Sequence, residues 1–412
     1  MKTKETTITP LTSYQRFVIL ILALTQFTVV LDFMIMSPMG DLLMKSIQLT
    51  PVQFGVAVSA YAFSAGISGL LTAGFADRFD RKKLLLFFYV GFIVGTFLCS
   101  FSTDYTMLVI ARIITGLFGG VIGSISMAIV TDVFSMEQRG RVMGFIQMGF
   151  GASQVLGIPI GLFIGNAFGW QHAFFWIAVF SLIIVLLIAL KLNPIKEHLG
   201  LQKEYSAFHH LINTFSNKTY RIGFLCTALL SIGGFMMMPF GSVFAVNNLK
   251  VSHDQLPMLF MISGIVSLII LPLVGRWSDT FDKFKIFCIA SLWMIVMVLI
   301  YTNLGPTNFV WVVIANVLMM MGVLSRMAPS SALITSVPEM KDRGAFMSVS
   351  SSLQQLSGGV AAYFAGLIIV QPNPSSPLIN YNIVGYIVVF ISIVGIWLLY
   401  RVDGIRKRKS AV

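Results

Sequence analysis

Apolar residues run along this chain in long blocks, separated by short breaks rich in charge, proline, glycine or asparagine. Blocks of about 17–25 apolar residues match the roughly 30 Å of hydrocarbon that a helix must cross in a bilayer. The pattern predicts helical spans over 17–39, 54–75, 84–101, 105–129, 142–165, 173–190, 222–244, 256–274, 286–302, 309–334, 345–369 and 383–400. An even number of spans puts both termini on one side. The chain therefore reads as an all-α integral membrane protein with three parts: 1–190, a connection over 191–221, and 222–412. Within the connection Tyr205, Phe208, Leu211, Ile212 and Phe215 recur at helical spacing beside His209, His210 and Lys218. That predicts a short helix lying on the membrane surface, with a solvated linker as the plainer alternative.

Composition narrows the class. Of 412 residues, 57% are hydrophobic and 11% charged, against a charged share of about 25% in soluble domains. The net charge of +12 does not point to nucleic acid, because the basic residues sit in short blocks between apolar runs. Of the 28 Lys and Arg residues, 24 fall on the side of the termini, in the blocks at 78–83, 139–141, 191–221, 276–285, 341–343 and 401–409 and near the N-terminus. Cytoplasmic loops carry that excess, so both termini are expected in the cytoplasm of a cell (inner) membrane. Cys99, Cys226 and Cys288 fall inside predicted spans, which gives neither a disulfide framework nor a metal site. No small-residue cleavage site follows the first run, so it reads as a retained helix.

The halves repeat. Under a shift of 202, Asp77, Phe79, Asp80 and Lys83 meet Asp279, Phe281, Asp282 and Lys285, and Phe33, Met34 and Met36 meet Phe235, Met236 and Met238. Under a shift of 204, Arg139, Gly140 and Met143 meet Arg343, Gly344 and Met347. Two six-helix bundles of one design let a midplane site face either side as one bundle rocks against the other.

Residues 73–82, AGFADRFDRK, follow the second span, and a second copy runs from Gly275 through Asp279 to Lys283. This loop resembles the signature of the major facilitator superfamily, with Ala73 and Asp80 where that family prefers glycine. Gly157, Pro159 and Gly161 on span 5 are similar to its antiporter motif, and Arg112 stands four residues before Gly116 as in its fourth helix. The resemblance spans the chain and implies the major facilitator fold, pseudo-symmetric and monomeric, in the branch of drug:proton antiporters. It also implies that Asp77, Arg78, Arg81, Lys82, Arg139, Asp279 and Arg343 form a cytoplasmic gate, and that spans 1 and 4 are neighbours.

Asp32 is the one acid among sixteen placed well inside a predicted span. A charge at that depth costs about 2.5–3.5 kcal/mol on insertion scales, so it points to function. Arg112 lies at the same depth, about seven residues or roughly 10 Å from the outer end of its helix. Shifting Asp32 by 202 reaches Gly234 and shifting Arg112 by 204 reaches Asn316, so the repeated scaffold demands neither charge. Burial disfavours an ionised carboxyl and a nearby guanidinium favours it, which makes the two a candidate proton-coupling site; an ion pair that only fixes packing is the alternative.

Gln26, Tyr61, Gln147, Gln154, Met237, Asn316, Gln354 and Gln355 are candidate cavity residues, polar or pliable groups on apolar helices. Arg326, without a charged repeat partner, is a candidate contact for an anionic group at the inner mouth; snorkelling to the interface is the plainer reading. The expectation is a proton-driven exporter of small amphipathic or drug-like molecules, whose partners are its substrate, protons and the lipid bilayer. A uniporter or proton symporter for a metabolite such as a sugar or nucleoside is the alternative. All five histidines are expected in loops, which excludes an intramembrane enzyme site, and no nucleotide-binding loop supports ATP as the energy source; no cofactor is implied.

Overall fold

The computed structural model describes residues 11–73, 76–196, 199, 213–339 and 342–410. The interfacial helix expected around 205–212 lies outside them, as do the side chains of Asp77 and Asp279. Twelve spans form among the described residues, and the only strand-like feature there is an isolated bridge between Val370 and Ile379.

The first half comprises span 1 (Ser13–Ile35), span 2 (Pro51–Ala73), span 3 (Arg81–Ser100), span 4 (Tyr105–Val133), span 5 (Met136–Ala152 continued by Ile158–Phe168) and span 6 (Trp170–Lys191). The second comprises span 7 (Lys218–Phe235), span 8 (Leu256–Thr280), span 9 (Lys283–Thr302), span 10 (Phe309–Ser325 continued by Met327–Ile334), span 11 (Arg343–Ile368) and span 12 (Tyr381–Ser410). Eleven of these are long and apolar enough to cross a bilayer by length and composition. Span 11 is not, because its first half reads RGAFMSVSSSLQQLSGG. His172 sits in the first turn of span 6 rather than in a loop.

Span 11 tolerates those residues because it is a seam. Gly55, Ser59, Ala62, Gly66 and Gly69 repeat along one face of span 2 and meet Gly366, Ala362, Gly359 and Ser352 of span 11. A Cβ added at Gly55 would stand 2.8 Å from the Ala362 carbonyl oxygen, and one at Gly366 would stand 2.7 Å from that of Pro51. Ser59 Oγ donates to the Gly359 carbonyl at 2.8 Å. In lipid, where the hydrophobic effect does not drive helix association, such close backbone approach is the main source of contact.

The opposite seam, between spans 5 and 8, is only half made. Gly151 touches Leu268, Gly264 packs on the Gln154 backbone, and Ser267 Oγ donates to Gln154 Oε1 at 2.9 Å. Toward the face bearing the termini, a Cβ added at Gly140, Gly144 or Gly275 would meet nothing within 4 Å among the described residues. On the far face Asn166 Nδ2 donates to the His253 carbonyl at 2.8 Å. The bundles therefore meet at the far face and part toward the terminal face.

Spans 1 and 7 break before reaching the far face. Proline has no amide hydrogen, so Pro38 and Pro239 interrupt the helical ladder. Each chain then restarts as a seven-residue helix, Gly40–Ser46 and Gly241–Asn247 respectively.

Packing against span 4 gives a stability test. A Cβ at Gly116 would collide with the Tyr61 carbonyl and Ser64 Oγ, whereas Gly144 has open space. Gly116→Ala is expected to cost about 1–3 kcal/mol by overpacking, read as a lower unfolding temperature in detergent. Gly144→Ala, in the same measurement, is expected to be neutral or mildly stabilising.

Candidate functional site

Span 1 carries Asp32 three residues before its end, and spans 3 and 4 bring up its partners. Gly95 makes this possible: a Cβ there would lie 2.7 Å from the Thr115 backbone nitrogen, so spans 3 and 4 approach closely beside the site. Arg112 Nη1 donates to Asp32 Oδ2 at 2.9 Å and to the Asp32 carbonyl at 3.4 Å. Thr96 Oγ1 donates to Asp32 Oδ1 at 3.1 Å. The guanidinium carbon lies 4.6 Å from the centroid of the Tyr61 ring on span 2. Asp32 is 0% exposed and Arg112 1%.

The pair is thus buried inside the first bundle. Both carboxylate oxygens are engaged, while Arg112 Nε has no hydrogen-bond partner among the described residues. Nη1 of the guanidinium is thus held by the acid, and its plane lies beside the Tyr61 ring.

Span 5 forms the wall behind Asp32. Its helix widens into a π-helical turn over Ser153–Gly157, next to Pro159. A Cβ at Gly157 would stand 2.7 Å from Leu31 Cδ1, and one at Gly161 would stand 2.5 Å from Ile35 Cδ1. The motif's glycines accordingly let span 5 lie directly on the turn of span 1 that carries Asp32.

The other candidates scatter. Tyr61 and Met237 are buried, Asn316 receives no charge but donates to Ser263 Oγ at 2.9 Å, and Gln154 bridges to span 8. Gln147 and Gln354 are exposed, and Gln26 and Gln355 are half-buried. Two cavities, of 260 and 160 Å³, lie near Asp104 and near Arg81, and none of these eight residues lines either. Arg326 marks the break in span 10 and turns toward spans 9 and 12: Nη1 is 2.7 Å from Met294 Sδ and 3.3 Å from Ser392 Oγ.

At the terminal face, Arg81 Nε pairs with Asp132 at 3.1 Å and Lys82 Nζ donates to the Ala189 carbonyl at 2.8 Å. Arg139 donates to the carbonyls of Thr131 and Phe134, at 2.6 and 3.1 Å. Each of these bonds links two parts of the first bundle. Arg78 and Arg343 are exposed.

A second polar cluster lies on the far face, where the pattern of runs gives no signal for it. Asp41 falls beyond the predicted end of span 1, yet it is 1% exposed. It accepts from Asn247 Nδ2 at 2.6 Å and from Lys45 Nζ at 2.9 Å. Ser242 Oγ donates to the Ser37 carbonyl at 2.6 Å, and Ser37 Oγ donates to the Met238 carbonyl. A signal was present in the repeat: under a shift of 201, Pro38 and Gly40 meet Pro239 and Gly241. Thr96 had none, since a threonine in an apolar span is commonplace.

Two bundles of six helices that meet at one face, the first holding a buried charge pair, are the architecture of a membrane transporter. The Major Facilitator Superfamily profile matches residues 22–218 and 223–411, and the chain belongs to that superfamily of transporters for small-molecule substrates. An uncharacterized MFS-type transporter of Bacillus subtilis is 26% identical over 259 residues, covering 63% of this chain and 66% of its own. A second from the same organism is 24% identical over 394 residues, covering 93% and 95%. A "Probable sugar efflux transporter" of Mannheimia succiniciproducens is 30% identical over 143 residues, covering 35% and 36%.

Among solved structures, a bacterial homolog of the human lysosomal transporter Spinster, inward-facing and unoccupied, superposes with a TM-score of 0.78 at 14% identity, covering 97% of this chain and 99% of that one. A D-xylose–proton symporter gives 0.77 at 17% identity, covering 93% and 97%. At these identities the likeness concerns the fold.

Proposed function

We propose that this transporter exports small amphipathic molecules in exchange for protons, with Asp32 as the group that takes up the proton and Arg112 as its switchable counter-ion. The observation that carries the reading is the fully buried Asp32–Arg112 pair, backed by Thr96 on one side and Tyr61 on the other. A fixed packing device would satisfy both partners, whereas here Arg112 Nε has no hydrogen-bond partner among the described residues.

The terminal face, with its excess of Lys and Arg, is the cytoplasmic one in this proposal, which makes the present conformation inward-facing. The gap between spans 5 and 8, beside Gln147, is then the inner entrance, and Asp77, Arg81, Lys82 and Arg139 with Asp279 and Arg343 close it. Rocking that closes this gap and parts the far face would expose Asp32 to outside water and let the proton exchange for cargo. A sugar is a second candidate for the cargo, favoured by the name of the relative from Mannheimia succiniciproducens.

The experiment is uphill transport in proteoliposomes with an imposed proton gradient, screened across amphipathic cations, neutral drugs and sugars. Accumulation against a concentration gradient that vanishes when a protonophore collapses the proton gradient supports antiport. Equal rates with and without the gradient would replace this reading by facilitated diffusion.

A further inference from the structure

We infer that Asp41, with His253, is an acid-sensitive latch on the outer gate, acting on the conformational equilibrium of the transporter apart from the proton chemistry at Asp32. The inference rests on the orientation proposed above only in calling this face outer.

Asp41 belongs to the short helix Gly40–Ser46 of the first bundle, and His253 belongs to the connection after the matching helix of the second. His253 Nε2 stands 3.5 Å from Asp41 Oδ2, across the boundary between the bundles. Asn247 Nδ2, also from the second bundle, holds the other carboxylate oxygen at 2.6 Å. Both contacts cross the boundary, so both must break when the gate opens. Asp41 is thus a positioning residue of the gate: an acid buried only while the bundles are together.

Among the described residues, the charged groups against Asp41 are Lys45 from its own helix and His253 from across the boundary. Lys45 Nζ lies 2.9 Å from Oδ2 and travels with Asp41, so its attraction is present in both gate positions. His253 differs in two ways: its contact exists only when the gate is shut, and imidazole changes charge between about pH 5 and 8. Its side chain is 43% exposed, within reach of outside protons. Its backbone carbonyl is anchored to span 5 through Asn166.

The sign follows from charge. Protonated His253 adds a cation beside the buried carboxylate in the closed gate alone, so acid favours closure and alkali favours opening. Lys45 beside it subtracts some of that gain by repulsion. With the imidazole half-exposed and its charge screened by solvent, the pair is expected to change the equilibrium by about two- to fivefold.

The test is a distance measurement between spin labels, which uses neither orientation nor coupling. Thr103→Cys and Gly305→Cys place labels on exposed far-face loops of the two bundles, and a Cβ at Gly305 meets nothing within 4 Å. Cys99 and Cys226 are buried, so Cys288→Ala suffices as background. In lipid nanodiscs the long-distance population is expected to grow about two- to fivefold between roughly pH 5.5 and 8. His253→Gln should abolish that dependence, and His253→Lys should keep the gate shut across the range. Asp41→Asn should raise the open population by about tenfold, since a buried charged acceptor is lost. A pH-insensitive wild type, a His253→Gln protein that titrates like wild type, or an Asp41→Asn protein with an unchanged distribution would each overturn the latch. If proton-driven transport fails while these distances respond, the latch stands and the antiport proposal falls.

Discussion

Asp32→Asn is expected to abolish uphill transport while leaving downhill movement of substrate intact. The amide keeps the shape of the side chain and can still accept from Thr96 Oγ1, which lies 3.1 Å from the native carboxylate. It takes up no proton in the physiological range, so the coupling reaction has no carrier. One proton charge crossing 100 mV supplies about 2.3 kcal/mol, enough for roughly a fifty-fold gradient of a neutral substrate. The variant's accumulation ratio should fall from that scale to about one. Measured in proteoliposomes at fixed membrane potential, a variant that still concentrates substrate with a dependence on pH would remove Asp32 from the mechanism. Asp32→Glu, which keeps the ionisable group one methylene farther out, should retain partial coupling.

Arg112→Met is expected to have the largest effect on stability. Removing one partner of a buried ion pair leaves the other charge without compensation, at a cost of about 3–5 kcal/mol. Here the loss includes the 2.9 Å bond to the carboxylate and the stacking on Tyr61 at 4.6 Å. The double variant Asp32→Asn with Arg112→Met carries no buried charge at this point and should recover most of the loss. Unfolding in detergent micelles reads all three proteins, and their non-additivity isolates the pairwise coupling. Strictly additive losses in the double variant would show that the two side chains act independently. Transport tells the rest: both Arg112→Met and the double variant should lack proton coupling, although only the first should be fragile.

Much of the fold was legible because bilayer thickness imposes one length scale on every span, and a run of apolar residues records it directly. Span 11 is recognisable by that rule despite SVSSSLQQLSGG, since a long run lies between a charged break before it and a proline- and asparagine-rich break after it. Why it is polar was not legible. The reason is the glycine and serine contact with span 2, residues about 300 positions away, which no local pattern encodes.

The charge pair was legible for a different reason. Asp32 and Arg112 are costly at their depth, and equal depth on neighbouring helices brings them together, as the 2.9 Å contact records. Thr96 escaped notice because a hydroxyl can satisfy itself on its own helix, and Thr96 also donates to the Phe92 carbonyl at 3.0 Å. Asp41 escaped because it lies past a proline break, where an acid would ordinarily be solvated. Its burial depends on Asn247 and His253, supplied by the other half of the chain.

The uneven pair of seams constrains how the halves can turn. Along spans 2 and 11, backbone meets backbone where Gly55 faces Ala362 and Gly366 faces Pro51, and no flexible side chain is present there to yield. Sliding would drive carbonyl oxygens into main-chain atoms, whereas swivelling about the line of contact keeps every spacing nearly constant. That edge is therefore the spine of a book, and the loosely touching margin of spans 5 and 8 is where its pages fan apart.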